Sequence, residues 1–523
     1  MRTSQWIIAS AVALALAGCG SDEISSAGAG NVTINNPPAA NPDPTPDPDP
    51  QDPDLVQPAA GCPTITDPAG LRDDGTITGP TGTYRVCALP NQVTRSVTLA
   101  RVPGLLYALD GRVDVGPDRG AEPTDDDPVV LTIEPGVVVF AQTGVSWLAV
   151  NRGNQINAAG TAEQPIVFTS RDNVLGLATD DSQGQWGGVV LLGRAPITDC
   201  TVAPAATPGT VNCERQTEGA VDPAYFGGET PDDNSGTLRY VQIRYSGYVL
   251  SGNNELQSLT LGGVGSGTTI EYFQSHNSSD DGFENFGGRA HMRRVVVTGA
   301  DDDSIDLDTG YKGTLQYVIA IQKNSGAADS IIELDSANAL EDQTPRTHMK
   351  VANFTFVHLN PATGNNAAML FRGKADVTMV NGVVTSPMAC LRLNGSNILT
   401  TDAATDKVGP PAFQSVAMQC AVDAFVGSGG LTNEQVADAF NAGDNNDAAF
   451  TATLADTFVN GANEAALVAA DPQVFDAAFD ATDYVGAVRD ADDAWYAGWT
   501  CNSITANFGD TSGACTSLPS LAE

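Results

Sequence analysis

Lysine is scarce in this chain: five Lys and four His stand in 523 residues, against 63 Asp+Glu. With Arg included the formal charge is 25 − 63 = −38. A surface that grips phosphate backbones needs a basic face, so nucleic-acid binding is excluded. So few Lys also leave little for a polybasic lipid anchor. No internal apolar run reaches the roughly eighteen residues that a membrane helix requires. No C-x-x-C occurs and no His stands beside a Cys, which argues against a zinc site. What abounds is Gly (54) and Pro (31), a composition of short elements and many turns rather than of a helical bundle. The length suffices for a large core.

The first residues carry an address. Met1-Arg2 is a short positive region, and Ile7 to Leu16 an apolar stretch too short to span. It ends in Leu16-Ala17-Gly18-Cys19, which resembles the lipobox of bacterial lipoproteins. The resemblance implies removal of residues 1–18 and acyl chains on Cys19 that anchor without spanning the bilayer. Gly20 after the Cys implies the outer membrane rather than the inner. The alternative is an ordinary signal peptide that contains a Cys. Residues 19–60 read as a tether, because Asn41 to Pro50 alternates Pro with acidic residues and cannot bury a core. Its expected use is to hold the folded body away from the membrane.

With Cys19 set aside, eight Cys remain, an even number that suits an oxidising compartment. They fall as neighbours along the chain: Cys62/Cys87, Cys200/Cys213, Cys390/Cys420 and Cys501/Cys515. Four local loops is the simplest of the 105 pairings that eight Cys allow.

From 129 to 424 the chain is a succession of short β-branched runs separated by Gly, Asn and Asp. Glu271-Tyr272-Phe273, Arg294-Val295-Val296 and Tyr317-Val318-Ile319 recur at 22 to 23 residues. Asp280-Asp281-Gly282-Phe283-Glu284 returns 22 residues on as Asp302-Asp303-Ser304-Ile305-Asp306, and more loosely as Asp329 to Asp335. One coil of a parallel β-helix takes about this many residues, three short strands and three turns. The expected fold is therefore all-β, a right-handed parallel β-helix. A propeller would repeat at about 40 residues and a sandwich at no fixed period. Within Asp303 to Asp308, Ile305 and Leu307 are expected to point in, and Ser304, Asp306 and Asp308 out. Residues 61–128 read as an N-terminal cap. Residues 425–523 read as a partly helical C-terminal cap on the last coils, opened by a capping pattern at Thr432.

Val264 to Tyr272, Asp280 to Gly288, Asp301 to Ser304 and Trp495-Tyr496-Ala497-Gly498-Trp499-Thr500 resemble a family of Gram-negative surface lipoproteins. Its members are predicted β-helices found in bacteria rich in TonB-dependent receptors, and the family carries no secure activity. The resemblance implies cell-surface display and a TonB-dependent receptor as partner.

Chemistry concentrates in an acidic ladder: Asp280, Asp281, Glu284, Asp301, Asp302, Asp303, Asp306 and Asp308, then Glu333 and Asp335. Stacked coils would bring several carboxylates within about 5 Å, where like charges repel. Ca²⁺ relieves this, since it takes six to eight oxygens in flexible geometry. The expected ligands are Asp280, Asp281, Glu284, Asp302, Asp303, Asp306 and Asp308. Protonation of one member of each pair is the other relief, and solvated turn carboxylates are the bland alternative. The ladder also faintly resembles the polygalacturonase glycosidases. On that resemblance Asp281, Asp303, Arg372 and Lys374 would be catalytic, with Arg372-Gly373-Lys374 matching the family's last element. The family's Gly-flanked His is missing, for His276, His291, His348 and His358 all lack flanking glycines. Arg372 as the base of a calcium-assisted lyase is the related possibility. Trp147, Trp186, Tyr225, Tyr245 and Tyr248 are candidates for stacking on sugar rings, or for filling the interior. The expected function is glycan binding by the β-helix flank, aided by Ca²⁺, rather than turnover. A polysaccharide lyase or hydrolase, and a structural surface adhesin, are the alternatives.

Overall fold

Alternating apolar residues over runs of three to five make strands too short to pack alone, so each stacks on its counterpart one coil away. The computed structural model describes residues 55–523 apart from 221, 252, 253, 327, 337–339, 362–366, 520, 522 and 523. The segment 1–18, Cys19 and the tether as far as residue 54 lie outside the described residues. The chain is an all-β parallel β-helix. Two long sheets carry nearly all its strands, one of 15 and one of 11, paired almost throughout in parallel.

Coils begin early. After an antiparallel hairpin, Arg72–Gly79 with Gly82–Ala88, the strand Gly82–Ala88 pairs in parallel with Leu105–Leu109. The segment expected as a cap thus already carries stacked strands. The 22-residue repeat is visible as register: Phe273, Val295, Val318 and Phe354 lie one above another, with Phe354 over Gly382. A Cβ on Gly382 would stand 1.8 Å from the Phe354 ring, so only glycine fits beneath it.

From Gly236–Arg244 onward each long strand turns a corner of the coil at one residue with positive φ. Tyr240, Tyr272, Arg294, Tyr317, Asn353, Asn381 and Ser415 occupy this column, with φ between 50° and 60°. The left-handed region is costly for such residues. Stacking offsets it: the Tyr240 and Tyr272 rings lie 4.2 Å apart, and the Arg294 guanidinium sits 5.1 and 4.9 Å from the Tyr272 and Tyr317 rings.

In the second sheet Ile305 and Leu307 are buried and point inward, while Asp306 and Asp308 are partly exposed. Ser304 departs from the expected alternation. It is fully buried and donates to Gln322 Oε1, because it sits in the turn before the strand starts. The four disulfides are Cys62–Cys87, Cys200–Cys213, Cys390–Cys420 and Cys501–Cys515.

The C-terminal region does more than cover the last coils. Its helix Asn433–Asn441, capped by Thr432, packs Phe440 against Phe413 and Phe425 at the end of the stack. The remainder runs back along the outer face of the first sheet as a strap. Phe458, Val459, Val488, Trp499 and Phe508 cover Val296, Ile319, Ile321 and Val357, and Leu518 and Leu521 reach Val56 and Ile77 in the opening coils. Amide side chains of the solenoid grip the strap's backbone at both N–H and C=O. Gln274 does so at Cys501, Gln316 at Asp480 and Asn381 at Ala470. Each pair satisfies strap groups that no sheet ladder reaches.

Candidate functional site

On the outer face of the second sheet, Ile197, Phe226 and Leu256 cover Val190 and Leu192, and the coils that follow are left open as a groove. Stacking places Glu284 beside Asp306, and Asp306 beside Glu333, on three successive coils. Phe286 and Asp308 occupy the next outward column. In the turns that lead into these strands, Asp281 and Asp303 also stack. Asp281 Oδ1 accepts the Asp303 N–H at 3.0 Å, and Asp303 Oδ1 accepts the Ser330 N–H at 2.7 Å. Each aspartate thereby caps the turn one coil further on, which explains why the Asp-Asp pair repeats with the coil.

A groove of about 590 Å³ opens over this face, lined by Gln257, Ser279 and eight carboxylates: Glu218, Glu255, Asp280, Asp281, Glu284, Asp301, Asp302 and Asp306. Lys323 pairs with Asp301 at 3.1 Å behind it. At the far end Arg372 bridges Glu333 and Asp335. Arg215 lies against the Phe286 ring at 4.4 Å and pairs with Asp199.

Three sets of carboxylate oxygens converge within 4.8 Å of one another: Asp280/Asp281/Asp302, Asp281/Glu284/Asp306 and Asp302/Asp303/Asp329. The sets share Asp281 and Asp302, so they form one chain across three coils. Two Ca–O bonds of about 2.4 Å span this separation. The roughly 6.5–9.5 Å of an inverting glycosidase exceeds it.

Burial pushes Asp280, Asp281, Glu284, Asp302, Asp303 and Asp306 upward, and neighbouring carboxylates add to it. Asp280 rises to about 7, chiefly by burial and then by Asp302 and Glu255. Asp281, Glu284, Asp303 and Asp306 lie well above the usual carboxylate range for the same two reasons. Asp308 reaches about 6, through burial and then Asp335, and Glu333 about 7, through burial offset by Arg372. Glu284 is only 6% exposed. Asp306 Oδ1 is buried without a hydrogen-bond partner among the described residues. Clustered carboxylate oxygens facing a groove are what a hard divalent cation coordinates, and the donor set fits Ca²⁺.

Of the ligand set expected from sequence, Asp280, Asp281, Glu284, Asp302, Asp303 and Asp306 meet in these clusters. Asp308 stands in the adjoining column. Sequence reading missed Glu218, Glu255 and Asp329 as partners. Glu218 comes from a turn and Glu255 from a short hairpin strand, Asn254–Glu255, both outside the repeat and with no periodic signal to mark them.

Of the basic residues, Arg372 touches the ladder's end, where its pairing with Glu333 and Asp335 holds its proton more tightly than usual. That opposes a role as base. Lys374 pairs with Asp342 at 2.7 Å, outside the groove. The aromatic platform does not form at the groove: Trp147, Trp186 and Tyr245 are buried, and no aromatic lines it among the described residues. Trp186 Nε1 donates to the Arg244 carbonyl as a core residue does. His276, His291 and His348 bond Thr298, Thr314 and Thr378, and His358 bonds the Asp329 carbonyl.

A family model described as a pectate-lyase-like β-helix domain matches residues 121–500. No curated protein and no solved structure matches the chain.

Proposed function

The chain belongs to the pectate-lyase-like β-helix family, and from that premise we propose that its acidic flank binds Ca²⁺ and, through it, an acidic polysaccharide. The observation that carries this reading is the chain of three linked carboxylate sets, each within 4.8 Å, at the floor of an open groove. Unliganded, these groups repel one another. With a cation held among them, the ion's remaining coordination positions face the groove and accept sugar carboxylates, which the bare groove would repel. We further propose that the body is carried at the outer-membrane surface by acyl chains on Cys19, near a TonB-dependent receptor that takes up what it captures.

Affinity electrophoresis of the full chain through gels containing polygalacturonate tests the binding. Retardation is expected with Ca²⁺, lost in EDTA and in Asp306→Asn. Equal retardation in EDTA would overturn the reading.

One observation favours turnover as a second reading. Asp280, raised to about 7, keeps a proton to donate near neutrality, as a general acid must. Release of unsaturated or reducing ends, abolished in Asp280→Asn, would establish a lyase or hydrolase at the same groove. Absence of both leaves a binder.

A further inference from the structure

Beneath the strap, on the flank away from the carboxylates, lies a buried cation that pairs with no anion among the described residues. Arg244 points outward from its strand, yet the strap leaves it only 3% exposed. Its Nε and one Nη2 hydrogen donate to Gln242 Oε1. Its Nη1 donates to the carbonyls of Cys515 and Ser517, both at 2.8 Å. A guanidinium carries five N–H groups, so one on Nη2 has no acceptor among the described residues. Among the described residues every acceptor it has is neutral, and no carboxylate pairs with it.

The surroundings do not supply the missing charge. One coil on, the same register position is His276, fully buried and held neutral, its pKa pushed down to about 3 by burial and then by Arg244 itself. The Tyr245 hydroxyl beside them is buried without a partner among the described residues. A buried charge is ordinarily paired, because neutral acceptors replace only part of its hydration.

A cavity of about 260 Å³ opens at this point, between the strap's terminal disulfide loop and the first sheet. Arg244, Gln242, Thr500, Thr511 and Ser517 line it, with Glu163 at its exposed rim. It is too small for a polysaccharide segment, and large enough for one sugar acid or a tetrahedral oxyanion.

We propose that this cavity is an oxyanion site, in which a carboxylate or sulfate-type group sits on the free Nη2 edge of Arg244 with the Thr511 and Ser517 hydroxyls in reach. The group is either a free anion or the acidic end of a glycan. Because Cys515 and Ser517 hang on the same guanidinium, its occupant also fastens the strap.

Thermal melts of the full chain at fixed ionic strength, with chloride exchanged for sulfate or for galacturonate, test this. A saturable rise of a few degrees is expected from at least one of them. A response to sulfate assigns a free oxyanion, and a response to galacturonate alone assigns a sugar-borne carboxylate. Arg244→Gln is expected to lose the response, but could also loosen the strap. Ser517→Glu avoids that difficulty: it keeps Arg244 and supplies a carboxylate in place, so its midpoint should rise and no longer respond. No saturable shift in the parent chain would overturn the proposal. So would a response that survives unchanged in Ser517→Glu.

Discussion

The same coils build two flanks that are treated in opposite ways. On one, outward residues turn apolar at Val296, Ile319, Ile321 and Val357, and a strap from the far end of the chain roofs them with Trp499, Phe458 and Phe508. On the other, outward residues are Glu284, Asp306 and Glu333, and the face stays open as a groove. A β-helix obliges each coil to repeat the one below, so whatever stands at an outward position is multiplied along the axis. Apolar repetition makes a surface that must be covered. Acidic repetition makes one that must be neutralised. The first need is met within the chain, and the second asks for something from outside.

The largest effect should come from breaking the roof. Trp499 is fully buried against the edges of Tyr240 and Tyr272, so Trp499→Ala is expected to cost about 3–5 kcal/mol in urea unfolding. Its calcium response should be kept. Loss of that response would show the flanks to be coupled.

On the open flank the sign reverses. Removing charge with Asp306→Asn should stabilise the calcium-free protein at pH 7 by about 1 kcal/mol, since a buried carboxylate with raised pKa opposes folding when ionised. The same change should abolish stabilisation by Ca²⁺. Destabilisation without calcium would mean that Asp306 holds a structural bond instead.

The pH dependence follows from the same groups. Their folded pKa values lie above the unfolded value of about 4, so between there and about 7, where Asp280 and Glu333 titrate, the folded state binds more protons. Stability without calcium should therefore fall as pH rises through that window, and added Ca²⁺ should restore more of it at pH 7 than at pH 5. Melting curves across pH with EDTA and with Ca²⁺ check this. A stability that rises over the window would contradict it.

The smallest effect concerns the end of the ladder. Arg372 is partly exposed and neutralises Glu333 and Asp335; Arg372→Gln should tighten calcium binding about two- to threefold, with little change in melting.

The repeat that makes the fold was legible because register is visible in sequence. Phe273, Val295 and Val318 share one column, and so do Glu284, Asp306 and Glu333. The strap's course was not, because its anchors are single amides, Gln274, Gln316 and Asn381, each met by a backbone group without a sequence signature. Of the two readings open to the aromatic residues, sugar platform or interior filler, Trp186 and Tyr245 take the second, because tertiary covering buries them. Glu218 and Glu255 enter the groove from a turn and a short hairpin outside the repeat, which periodicity cannot reach.

Titration calorimetry with Ca²⁺ near pH 6, run in two buffers of unlike ionisation enthalpy, addresses the open flank most directly. A cation entering clustered, partly protonated carboxylates must expel protons, so saturable binding with net proton release is expected, and both should disappear in Asp306→Asn. Heat that is absent, or binding with no proton released, would contradict a calcium-holding groove.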